Sequence, residues 1–395
     1  METRPLLSIA IATKNRVNYC INTIDTILKY KNQNFELIIQ DNTDNRDLED
    51  YVKKNYTDSR LKYRYTPPPF SSIDNFNAVL ELCTGEYVCL LGDDDGIVEN
   101  IFPVVEWAKA NNVDSLCPKE FVHYIWPNES TNGKMVIPYS THKLWENKPA
   151  QNIQDLVDDG IVMYMKFNMP KLYHGLVRRD LLERMKQKNG YYLGGLSPDI
   201  YACVALASLA KKHIVLDSPI TIAGACPKST TIDQTKGKHS GRIEDAPHLR
   251  SREGYVWDEN VPRYYSVETI WAESAIKAIK EFDIPVDLSK LNRTKILASA
   301  MNTAPGYKQL FLDETFKISK KKENNLQLNI LRRKLFIENF TKKVVNRIPR
   351  KYIFKHYRFT GVKDIERATE ISNEVLNKLE ISSLLAQYKG ETRKI

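Results

Sequence analysis

EYVCLLGDDDG, residues 86–96, decides the fold: an apolar, β-rich run delivers three adjacent carboxylates at its carboxyl end. Such a run is expected of a strand buried on both faces. Upstream, LLSIAIAT (6–13) has the same character and ends in polar TKNR, and FELIIQ (35–40) runs into DNTDNRD. Between them Val17, Cys20, Ile21, Ile24, Ile27 and Leu28 recur at spacings of three and four, which predicts a helix with one apolar stripe. LKYRYT (61–66) predicts another strand, followed by a PPP turn and a helix around 74–83 with Phe76, Val79 and Leu80 inward and Gly85 as its stop. Beyond the acidic run, Val98, Ile101, Val104, Val105 and Ala108 mark a further helix and VDSLC (113–117) a further strand.

Strands alternating with helices imply an α/β fold with a mostly parallel sheet. Ligands of such sheets collect beyond the carboxyl ends of the strands. Three polar clusters fall at those ends: Thr13–Arg16, Asp41–Asp44 and Asp93–Asp95. In sequence, Asp93, Asp94 and Asp95 have no Lys or Arg beside them, so their mutual repulsion calls for an offset. A divalent cation supplies it, because hard oxygen ligands suit Mg²⁺ or Mn²⁺. The plain alternative is an acidic turn that caps the next helix.

The ordered series SIAIATKNR, ELIIQDNTD and DNFNAVLELCTGEYVCLLGDDD resembles the family-2 glycosyltransferases, over roughly residues 5–225 and most strongly 5–115. That resemblance implies a glycosyltransferase-A fold, a Rossmann-like nucleotide-sugar-binding mixed sheet flanked by helices, and inverting transfer of a sugar from a nucleotide donor, UDP-linked by preference. Carried over residue by residue, Thr13 and Arg16 lie at the nucleotide edge, Asp41 matches the acid that hydrogen-bonds the pyrimidine, and Asn75 lines the nucleotide pocket. Residues 93–95 match the DXD-type motif, with Asp93 expected on the ribose and Asp95, joined by Asp94, on the metal. Gly92 stands where the family often has its first acid. The QxxRW motif of processive synthases is absent from the sequence, which favours a single addition over polymer synthesis.

Inverting transfer needs a carboxylate to take the acceptor's proton. In GGLSPDIYACVALA (194–207), Asp199 follows a Ser-Pro turn at the opening of an apolar helix, and it is the expected base; its plain alternative is a helix cap. His174, in KLYHGLVRRD (171–180), is kept as a substrate-pocket residue against an ordinary structural role. Asp158 and Asp159 are read as a solvated turn. The polar stretch 224–250 after the strand-like HIVLDSPITIA (213–223) reads equally as a lid or a linker. As a lid it would bring Lys228, Ser229, His239 and Arg242 over the donor diphosphate.

The chain has 395 residues, 42% of them hydrophobic, with 58 Lys and Arg against 49 Asp and Glu. This composition excludes disordered, collagen-like and disulfide-scaffold classes. The expected organisation is a catalytic domain over 1–225, split near 117 into nucleotide and acceptor halves, a loop or lid over 226–255, and a helical region over 256–395. Residues 315–360 hold fourteen Lys and Arg and two Glu, a net of +12, which leaves the rest of the chain at −3. There NILRRKLFIENFTKKVVNRIPRKYIFKHYRF (329–359) interleaves basic and apolar residues. An anionic membrane surface is the preferred partner and nucleic acid is disfavoured. The stretch 363–389 reads as an amphipathic helix that packs on the body or self-associates into a homodimer. With no apolar run of spanning length and no secretory signal, the expected place is the cytoplasm, peripheral at the inner membrane face.

The leading expectation is thus a metal-dependent transferase acting on a glycan or lipid-linked acceptor in surface polysaccharide biosynthesis. A sugar-phosphate nucleotidylyltransferase expects a glycine-rich loop where TKNR stands. The non-enzymatic alternative is a membrane- or polyanion-docking protein on a degenerate transferase domain. GxGxxG after strand one and GxxxxGK[ST] are both absent, against dinucleotide oxidoreductases and P-loop hydrolases.

Overall fold

The computed structural model describes residues 4–140, 143–162, 164–229, 240–249, 252, 254–319, 325–347, 356–377, 381 and 385. The chain opens with β1 (Leu7–Thr13), α1 (Val17–Leu28), β2 (Phe35–Asp41), α2 (Asp47–Asn55), β3 (Leu61–Tyr65), α3 (Ser72–Glu81) and β4 (Tyr87–Leu91). β1 pairs in parallel with both β2 and β4, and β2 with β3. Every residue of β1, β2 and β4 is buried. The period of two explains why: Ile9, Ile11, Cys89 and Leu91 enter one core with Ile24 and Ile27, while Ala10, Ala12, Val88 and Leu90 enter another with Val79 and Ile200.

Next come β5 (Gly96–Ile97), α4 (Ile101–Ala110), β6 (Ser115–Pro118), β7 (Val122–Ile125), β8 (Lys134–Ile137), β9 (Leu144–Asn147), α5 (Ile153–Asp158), β10 (Leu176–Arg178), α6 (Arg179–Asn189), α7 (Pro198–Leu209), β11 (His213–Leu216) and β12 (Thr221–Ala225). The first sheet runs β3-β2-β1-β4-β10-β6-β11-β9. It is mixed, because β10 is antiparallel to β4 and β6, and β9 to β11. The stretch 213–223, read as one strand, is two strands in two sheets. The chain changes sheet across Asp217–Pro219, where proline has no N–H to give a ladder.

The carboxyl-terminal part contains β13 (Ser240–Gly241), β14 (Tyr265–Ser266), α8 (Val267–Glu281), α9 (Arg293–Thr303), α10 (Lys308–Ser319), α11 (Asn325–Arg347), β15 (Tyr357–Thr360) and α12 (Ile365–Asn377). α7 is apolar all round because it is enclosed: Ala202, Ala205 and Leu206 share a core with Ala272, Ala275, Ile276 and Ile279 of α8. The region after 256 is not wholly helical. β15 completes a second sheet, β15-β8-β7-β12-β5, and α12 packs on it through Ile365, Ala368, Ile371 and Leu376. Of the two expectations for 363–389, packing on the body is the one seen over Ile365–Asn377. Asp159, read as solvated, is half-buried in an ion pair with Lys295. No helix among the described residues is long and apolar enough to cross a membrane.

Candidate active site

Register places the site. Thr13 at the end of β1 lies opposite Asp41 at the end of β2, and β4 ends one residue before Gly92. The three polar strand ends therefore converge on one rim. Asn15, at φ 58°, makes the turn out of β1, a conformation Asn tolerates. Its side chain clasps Asp44, donating to Oδ2 at 2.8 Å and accepting from the Asp44 N–H at 3.0 Å.

The three aspartates are buried and face different partners. Asp93 accepts from the Thr13 hydroxyl on Oδ2, and its Oδ1 lies 2.9 Å from Arg16 Nη2. No hydrogen bond of good geometry reaches that Oδ1. Asp94 Oδ1 is 3.4 Å from Arg16 Nη1, Oδ2 accepts from the Cys226 N–H at 3.0 Å, and its carbonyl accepts from Trp126 Nε1 at 2.9 Å. Asp95 is the most committed. Oδ1 accepts from the Gly224 N–H at 2.7 Å, while Oδ2 accepts from the Gly92 N–H at 2.7 Å and the Tyr173 hydroxyl at 3.0 Å. Gly224 has to be glycine, since a Cβ there would sit 1.8 Å from the Asp94 carbonyl oxygen.

Burial raises the carboxyls of Asp93, Asp94 and Asp95, and their mutual charge adds to the rise for Asp93 and Asp94. Burial alone would depress the Arg16 guanidinium, but Asp93 and Asp94 beside it prevail and push it up. The cation that offsets the cluster is thus one the linear sequence hides, 78 residues upstream of Asp94.

Asp41 is buried, its Oδ1 accepting from the Thr43 N–H at 2.8 Å and its Oδ2 from the Tyr63 hydroxyl at 2.7 Å. Asn75 donates to the Thr13 carbonyl at 3.1 Å, leaving Oδ1 buried without a partner. These residues line the β1–β2 side of the rim. On the other side β10 carries the chain back along β4. The His174 N–H donates to the Leu90 carbonyl at 3.0 Å, and His174 Nε2 lies 3.3 Å from Asp95 Oδ2. His174 has φ 64° and a buried Nδ1 without a partner. A left-handed, buried, half-satisfied histidine is a strained arrangement of the kind found at functional sites. Burial, then Lys171 and His123, lower its pKa to about 3, so the ring is neutral.

Asp199 lies in the first turn of α7, after Pro198. It is half-buried, and among the described residues no group hydrogen-bonds its carboxylate. Burial and then the Asp95 charge raise its pKa to about 6. The hydroxyls of Tyr164 and Tyr173 are pushed well up, chiefly by burial and in part by Asp199. Asp199 therefore lies within electrostatic reach of Asp95 with its oxygens uncommitted among the described residues. Tyr173, Tyr164 and Tyr63 escape the sequence reading; only the adjacency of Tyr173 to His174 hints at any of them.

Cys226, which holds Asp94, starts the stretch read as lid or linker. Lys228 there is exposed, and Ser229 is buried with its hydroxyl unpartnered. His239 lies outside the described residues, and Arg242 precedes a short 3₁₀ turn.

For a divalent cation, the donor chemistry fits at Asp93 Oδ1, which lacks a hydrogen bond, and at Asp94 Oδ1, whose one donor is the side chain of Arg16 at 3.4 Å rather than a backbone N–H. It fits less well at Asp95, both of whose oxygens already serve protein donors. Among the described residues no group of three or more His, Cys, Asp and Glu is arranged to hold a metal ion.

Residues 8–169 match the sequence family described as glycosyl transferase family 2. No curated protein matches the chain. Among solved structures, S. aureus TarS 1–349 in complex with UDP-GlcNAc is 16% identical, with 82% of this chain and 79% of that one covered and a TM-score of 0.45. Mannosyltransferase PcManGT from Pyrobaculum calidifontis, in complex with GDP-Man and Mn²⁺, is 13% identical, with 81% and 88% covered and a TM-score of 0.38. The matched segment contains the strands, the turn and the aspartates of the rim, and over residues 8–169 the chain is similar to glycosyl transferase family 2.

Proposed function

We propose that this chain moves a single sugar, with inversion, from a nucleotide donor, UDP-linked by preference, to a hydroxyl of a glycan or lipid-linked acceptor in surface polysaccharide biosynthesis. The observation that carries the reading is that the buried aspartate cluster has Asp199 within electrostatic reach, a carboxylate that no protein group hydrogen-bonds among the described residues. In the step, the acceptor oxygen attacks the anomeric carbon as the bond to the nucleoside diphosphate breaks, and Asp199 takes the hydroxyl proton. Asp41 and Asn75 orient the nucleoside, Asp93 and Asp94 form the cation edge, and Asp95 is the strut that fixes their loop to β12 and Tyr173. A divalent cation at that edge would offset charge on the departing diphosphate. Lys228 and Ser229 belong to the closing segment that excludes water from the donor.

The membrane partner rests on α11, where Leu326, Ile330, Phe336 and Ile337 are exposed beside exposed Arg333 and Lys334 within the +12 segment. A basic-apolar helix face suits the headgroup region of an anionic, inner-face membrane. Pelleting with anionic vesicles is expected at low salt, to weaken as salt rises, and to be lost in an Arg333→Glu, Lys334→Glu variant, which leaves β15 and α12 in place. Equal pelleting with neutral vesicles contradicts the anionic surface.

The donor test is a screen of UDP-, GDP- and dTDP-sugars for thermal stabilisation with and without Mn²⁺, since a ligand of the native state alone raises its stability. A shift with one nucleotide class is expected; none with any of them contradicts the reading.

A further inference from the structure

We infer that Arg16 is the resident counter-ion of the aspartate cluster, and that a divalent cation occupies Asp93 and Asp94 only when the donor diphosphate draws the guanidinium away. The inference rests on the nucleotide-sugar reading above and adds how the site is loaded.

Four observations carry it. Arg16 reaches both carboxylates, at 2.9 Å and 3.4 Å, through separate nitrogens, so one guanidinium spans the edge a metal would need. Its side chain is 23% exposed, against 0% for Asp93 and 5% for Asp94, so of the three it is the one solvent reaches most. Its backbone carbonyl accepts from the Tyr19 and Cys20 N–H groups, both at 3.1 Å, whereas the guanidinium makes no hydrogen bond of good geometry to Asp93 Oδ1. Its remaining recorded contact is long, 3.9 Å to Cys226 Sγ. At close range the guanidinium is therefore held by the two carboxylates, while its backbone is held by the helix that follows. Asp95 offers no alternative edge, because Gly92, Gly224 and Tyr173 hold it.

A metal dication and a guanidinium cannot share two buried carboxylates without strong repulsion. A diphosphate is the chemistry that would extract Arg16, since a planar guanidinium matches phosphate oxygens with paired hydrogen bonds. Metal entry and donor entry are then one coupled event, and the empty enzyme resists metal.

The test measures Mn²⁺ binding without nucleotide by electron paramagnetic resonance, and UDP binding in EDTA by calorimetry, on wild type and Arg16→Met. Arg16→Met is expected to bind Mn²⁺ at least about tenfold tighter than wild type and UDP at least about tenfold weaker, a size usual for coupled sites. The gain in Mn²⁺ is expected to disappear when Asp94→Asn is added. Mn²⁺ affinity in Arg16→Met equal to or below that of wild type overturns the inference. Should Arg16→Met not fold, Arg16→Lys, with shorter reach and no fork, is expected to bind Mn²⁺ severalfold tighter than wild type, and no gain again overturns it. If Arg16→Met gains Mn²⁺ while UDP binds neither protein, the counter-ion role stands and the donor reading fails.

Discussion

As the proposed base, Asp199 would owe its suitability to what it lacks. Its carboxylate has no protein donor among the described residues, and burial with the Asp95 charge raises its pKa to about 6. The acceptor proton requires the ionised form, which dominates above that value and is lost as pH falls through it. The logarithm of kcat/KM is therefore expected to rise with unit slope below about pH 6 and to level above it. Asp199→Asn is expected to lower kcat by about 10²–10⁴ while leaving donor affinity within a few-fold. A pH-rate profile flat through pH 6, or a fully active Asp199→Asn, contradicts the assignment. At this scale the placement of the acidic run and Asp41 at strand ends and of Asp199 at a helix start was legible, because these are local signals. The different hydrogen-bond partners within the run were not. Asp95 is tied to β12, 129 residues away, and Arg16 reaches back from the first turn. Such pairings leave no trace in local spacing.

Elements formed where periodicity was strong. α1, α3 and α4 and the strands β1, β2 and β4 follow their apolar patterns, since each is a long run with one reading. The second sheet was not foreseen, because β7, β8 and β15 have four residues each and are completed by partners far along the chain. Its contact with the site is at Gly224. Gly224→Ala forces a Cβ onto the Asp94 carbonyl oxygen, and an overlap of that kind is expected to cost more than about 4 kcal/mol in denaturant unfolding and to abolish transfer. Wild-type stability in that variant would mean that the β12–aspartate contact is looser than described. α8 opens with a capping box, in which the Ser266 hydroxyl accepts from the Thr269 N–H and the Thr269 hydroxyl accepts from the Ser266 N–H. Ser266→Ala is expected to cost about 1 kcal/mol with activity per folded molecule unchanged.

Over the whole molecule, the net +9 divides into a slightly acidic body and a basic stretch. The body closes around the carboxyl-terminal return of the chain. Val362, Ile365, Ala368 and Leu376 are buried against Tyr124, Trp126 and Ile222, and Trp126 in turn holds the Asp94 carbonyl. This return links the far end of the chain to the rim. Composition and charge could not announce it, because an amphipathic helix reads alike whether it covers its own sheet or another molecule. The central claim is that the rim where β1, β2 and β4 end receives a nucleotide, and its most direct measurement is a calorimetric titration of UDP with Mn²⁺ into wild type and Asn75→Ala. Asn75 Oδ1 is buried and unpartnered, so a ligand at the rim is expected to use it. Saturable binding to wild type, weakened at least about tenfold by Asn75→Ala, is the predicted result; no binding to wild type, or equal affinity in both proteins, would contradict it.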